Sequence, residues 1–154
     1  MLSKEYKQKA LHNLKHMSDN DMIKTLISIG SEYQPNNATI INKDKNIEQI
    51  KMISSLEFDW NGYGSPPVPE SVINLSIDII NTLDIQPEIF PTARKSIQFE
   101  YHKKDKSYLE FEIYESKITI LIVEKRDYDK SVNLTIEPKD YFKLNGLVNN
   151  FFAK

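Results

Sequence analysis

Two runs of alternating residues gather the side chains of this 154-residue chain that are best suited to acid–base or metal chemistry. Gln98, Glu100 and His102 share one side of the first run, and Tyr108, Glu110 and Glu112 share one side of the second. Paired as a hairpin, the two runs bring three carboxylates and an imidazole into one patch. Carboxylates beside a histidine do general acid and base work when they are desolvated. Nothing in the sequence desolvates these, and Lys103, Lys104 and Lys106 lie in the adjoining turn, so the expectation is an open, wetted sheet face used for binding. The alternative is a small metal-dependent hydrolase or nuclease-like enzyme that uses Glu100, His102, Glu110 and Glu112 with a divalent ion. His12 and His16, four apart on a helix, have a spacing that can hold a metal. They lack a third firm ligand and read as surface histidines. The sequence assigns no catalytic residue, metal ligand or cofactor.

The second candidate region is the segment from Asp59 to Glu70, which holds the only tryptophan together with Gly62, Gly64, Pro66, Pro67 and Pro69. Glycines admit backbone angles that other residues resist and prolines fix theirs, so this is a built loop. Trp60 and Tyr63 on a rigid loop offer a stacking surface at low entropic cost, although a lone tryptophan in a small domain more often caps the core. No glycine-rich phosphate loop and no nucleophile elbow accompany them. The expected partner-binding residues are Asp59, Trp60, Tyr63, Glu100, His102, Tyr108, Glu110 and Glu112.

These residues need elements to position them. A helical hairpin is expected over 1–33, with one helix to about Met17 and a second capped by Ser18 and ended near Gly30. A linker follows over 34–45, and the main domain spans 46–154. In that domain a helix runs from Asn46 to about Phe58, and Pro69 and Glu70 open a strongly apolar helix to about Leu83. Beyond Pro91 the period drops to two. Strands are expected at Ser96–His102, Tyr108–Tyr114, Ile118–Val123 and Val132–Ile136, the third apolar on both faces and therefore central or doubly covered. Pro138 opens a last helix carrying Tyr141, Leu144, Val148, Phe151 and Phe152. The fold class is α+β: a four-stranded antiparallel meander packed by helices, with an N-terminal helical hairpin.

Composition bounds the rest. The absence of cysteine removes disulfides and thiolate chemistry. With no long apolar run and no leader-like segment, a cytoplasmic protein without a membrane partner is expected. The net charge of −2 hides an acidic middle, where Arg94 alone opposes Glu57, Asp59, Glu70, Asp78, Asp84 and Glu88. A chain without a dense basic patch has no electrostatic grip on nucleic acid.

Trp60-Asn61-Gly62, a following proline, Phe90-Pro91-Thr92, Ile97-Gln98-Phe99-Glu100 and Leu109-Glu110-Phe111-Glu112 together resemble a group of small bacterial and phage proteins of uncharacterised function. The resemblance covers about half of the chain, from Ile47 to Val123. That group carries a glycine before its Ile-Gln strand, where this chain has Lys95-Ser96. The resemblance implies a compact α+β module associated with mobile elements or toxin–antitoxin pairs. The expected function is that of a non-enzymatic inhibitor, immunity protein or antitoxin that blocks a protein target, whether a toxin, an effector or a defence component.

Overall fold

A computed structural model describes residues 43–153. The predicted N-terminal hairpin and His12 and His16 lie outside the described residues, as does all but the last part of the predicted linker.

Helix α1, Lys43–Ser54, begins three residues earlier than the pattern predicts, with Asp44 in its first turn and Lys51 in its last, each suited to the helix dipole. It buries Asn46, Ile50 and Ile53 along one face. Asn46 is an amide on that face, and it donates to the Gln86 side-chain oxygen and the Pro87 carbonyl, both at 3.1 Å. Those bonds fix α1 to the chain entering the sheet. Helix α2, Glu70–Thr82, buries Val72, Ile73, Ser76, Ile79 and Ile80. Pro69 fits its entrance because a helix does not need the first N–H, and the Pro69 carbonyl accepts from the amides of Val72 and Ile73. At the other end Gln86 donates to the carbonyls of Leu83 and Ile80, the latter also accepting from the Leu83 amide. So apolar a helix needs cover on more than one side, and α2 packs both on α1 and on the sheet.

The sheet has five strands, one more than predicted: β1 Glu88–Pro91, β2 Ile97–His102, β3 Tyr108–Ile113, β4 Ile118–Val123 and β5 Val132–Ile136. Their spatial order is their chain order and every pair is antiparallel, so the sheet is a simple meander. The additional strand, β1, is four residues long and ends on Pro91, which obscures its period in the sequence. An edge strand tolerates a proline because its outer side needs no donor. Lys95, in the turn between β1 and β2, has φ +62°, the left-handed conformation that a glycine adopts without strain.

One face of the sheet forms the main core. Ile97, Phe99 and Tyr101 of β2, Leu109, Phe111 and Ile113 of β3, and Ile118 and Ile120 of β4 pack there with the buried residues of α1 and α2. The chain then closes this face from its C-terminal end. The single predicted last helix is divided into a 3-10 helix, Pro138–Lys143, and helix α3, Leu144–Ala153, which contributes Leu144, Val148 and Phe151. Phe152 meets Tyr101 edge-on at 5.8 Å, so the terminal aromatic pair belongs to the core. Asn145 and Asn149 of α3 both donate to the Asp84 carboxylate beyond α2, anchoring the helix.

Candidate functional site

The opposite face of β2 and β3 carries the carboxylates. Glu100 and Glu110 are direct cross-strand partners, His102 faces Tyr108, and Gln98 faces Glu112. The sequence therefore predicts the grouping, but its expectation of an open, wetted face is overturned. Glu100 is only 4 % exposed, and Gln98, Tyr108, Glu110 and Glu112 are buried as well. On this side Tyr108, Leu121 and Val123 form a small apolar cluster of their own.

Burial decides the charge state of this patch. Glu100 titrates well above an ordinary glutamate, chiefly through desolvation and then through the charge of Glu88. Desolvation also raises Glu110 to about 7, the charges of Glu100 and Glu112 adding to it while the Tyr108 hydroxyl, donating at 2.6 Å, opposes it. His102 moves the other way: burial lowers its pKa against the pull of Glu88 and Glu110. The 3.3 Å contact between His102 Nε2 and Glu100 Oε2 thus joins two groups whose charged forms burial disfavours. Among the described residues Glu100 Oε1 has no hydrogen-bond partner. A protonated carboxyl bears that omission at far lower cost than a carboxylate would, so the missing partner and the raised pKa have one origin.

Glu112 differs from its neighbours. Its Oε1 accepts from Arg94 Nε at 2.8 Å, from Ser96 Oγ and from Thr92 Oγ1, and Thr92 and Ser96 are themselves joined. This network ties the β1–β2 turn to β3. Sequence reasoning missed it because Thr92, Arg94 and Ser96 lie in a turn with no distinctive chemistry. The carboxylates of this face are therefore buried and do not stand open on the surface. Among the described residues no three His, Cys, Asp or Glu side chains are grouped to hold a metal ion.

The other candidate residues stand in the loop between α1 and α2, which is braced by its own polar groups. Asp59 Oδ1 accepts from the Gly64 amide at 2.6 Å, and the Asp59 amide donates to the Ser65 carbonyl at 2.8 Å. Asn61 Oδ1 accepts from the amides of Tyr63 and Ser65. Gly62 and Gly64 both take φ +75°, and Asp59, at φ +66°, is one of the few non-glycine types that tolerates that region. Trp60 is half-buried and spends its indole N–H on the Pro66 carbonyl at 3.1 Å, closing the loop on itself. Of the residues expected to bind, Asp59 and Trp60 thus build the loop, and Tyr63 is displayed by it at 48 % exposure. Phe58, absent from that set, is 71 % exposed beside Gly64, and Met52 at the end of α1 is exposed as well. Phe58 lies just before the glycine–proline segment, where it reads as the end of a helical stripe, and that hides its role in the sequence.

No protein-family model, curated protein or solved structure matches the chain. Among the described residues no helix is long and apolar enough to cross a membrane.

Proposed function

We propose that this protein is a non-enzymatic protein-binding module of bacterial or phage origin, acting as an inhibitor, immunity protein or antitoxin that occupies the surface of a protein target. The observation that supports it is the braced loop: Phe58 and Tyr63 stand exposed on a backbone whose conformation its own hydrogen bonds already fix. Exposed aromatics on a rigid loop are efficient anchors, because little conformational freedom is lost when they are buried. Glu57, Asp59 and Glu70 surround them with negative charge, so the complementary surface is an apolar pocket with a basic rim. The buried acidic face takes no direct part in this reading.

The test is affinity capture from a lysate of the source organism, with wild-type protein and a Phe58→Ala/Tyr63→Ala double variant as baits. The expected result is one stoichiometric protein retained by wild type and lost by the variant, each anchor contributing about 2 kcal/mol. Equal capture by both baits would remove the loop from the interface.

A further inference from the structure

The two edges of the sheet are finished differently. β1 is short, lies between Pro87 and Pro91, and has its Ile89 carbonyl capped by the Gln49 side-chain amide at 2.6 Å. β5 has no such protection. Its sequence, Val132-Asn133-Leu134-Thr135-Ile136, contains no charge and no proline, and among the described residues no strand pairs with its outer side. Val132 faces Ile122 and Leu134 faces Ile120, so both extend the apolar rows of the core face. They nevertheless remain 45 % and 44 % exposed, and Phe142 of the following 3-10 helix is exposed too. An uncharged apolar edge is a template for another strand.

We propose that β5 pairs antiparallel with β5 of a second copy of this chain, about a two-fold axis centred on Leu134, so that the two sheets become one. A second copy fits because the strand reads apolar, polar, apolar, polar, apolar in both directions. In this register Val132 meets Ile136, Asn133 meets Thr135 and Leu134 meets Leu134 of the second copy, matching apolar to apolar on one face and polar to polar on the other. Centring on Asn133 instead leaves Ile136 unpaired, since its partner position falls before the strand begins at Val132. With a net charge of only −2, long-range repulsion between copies is small.

Sedimentation analysis of the full chain and of two variants tests this. Wild type is expected to sediment as a dimer. Leu134→Lys is expected to be monomeric with an unchanged circular dichroism spectrum, since it adds a charge at an exposed edge position and leaves the core intact. The chain has no cysteine, so Leu134→Cys carries a single thiol, which the axis sets opposite its own mate. This variant should oxidise to a covalent dimer far faster than Ser116→Cys in the exposed β3–β4 turn. A wild-type monomer at high concentration, a dimer that Leu134→Lys leaves intact, or a Leu134→Cys variant that links no faster than Ser116→Cys would each overturn the proposal.

Discussion

Glu110 is the residue through which pH acts most directly on this fold. Its pKa rises from 4.5 to about 7 on burial, so the folded state holds a proton that the unfolded chain releases between those values. The stability this contributes is fully present below 4.5 and is lost as pH rises through about 7, a loss on the order of 3 kcal/mol. Glu100, raised for the same reason, acts in the same direction, whereas His102, lowered by burial, destabilises the fold as pH falls below 6.5. Glu110→Gln isolates one part of this sum. Its melting temperature relative to wild type should increase steadily from about pH 4 to about pH 8, because the amide never has to ionise, and parallel profiles for the two proteins would refute the assignment. Lys95 is the second residue of interest. Relieving its left-handed backbone with Lys95→Gly should stabilise the protein by roughly 0.5 kcal/mol, the strain removed slightly exceeding the added chain entropy. Equilibrium denaturation reads that difference. The facing of Glu100 and Glu110 was legible in the alternation of the two strands. Their burial was not, because period reports which residues share a face and carries no trace of what lies over it.

At the scale of elements, the β1–β2 turn is held to β3 by side chains more than by its backbone. Glu112→Ala removes the acceptor that Arg94, Ser96 and Thr92 share, and we expect a loss of about 2 kcal/mol in denaturant unfolding, moderated because Arg94 is partly exposed and Thr92 and Ser96 remain joined to each other. In a double-mutant cycle Arg94→Ala and Glu112→Ala should be less than additive, since each removes the same pair. Elements with strong periods or clean punctuation were legible: α2 was located by Pro69 and its apolar face, β2, β3 and β5 by alternation, and β4 by a run apolar on both faces. β1 escaped because four residues that follow one proline and end on another show no period. The break between the 3-10 helix and α3 escaped because Tyr141, Phe142 and Leu144 read equally well as one helical stripe. Which side each stripe packs against depends on contacts distant in the chain, such as Asn46 with Pro87 and Asp84 with Asn145 and Asn149.

Across the described residues, the helices and one sheet face make a core, the acidic face is buried, and the loop after α1 and the β5 edge expose apolar side chains suited to recognition. The two surfaces are chemically distinct, the loop being aromatic with an acidic surround and the edge aliphatic and uncharged, so target binding and self-pairing should respond to separate substitutions. Leu134→Lys is expected to leave target capture unchanged, and Phe58→Ala/Tyr63→Ala to leave the sedimentation mass unchanged. The most direct test of the binding account is hydroxyl-radical footprinting of the complex between this protein and its captured target, since Met52, Phe58 and Tyr63 are all readily oxidised side chains. The account predicts that these three are protected in the complex while Tyr128, exposed near β5, keeps its reactivity. Undiminished oxidation of Phe58 and Tyr63 in a stoichiometric complex would contradict it.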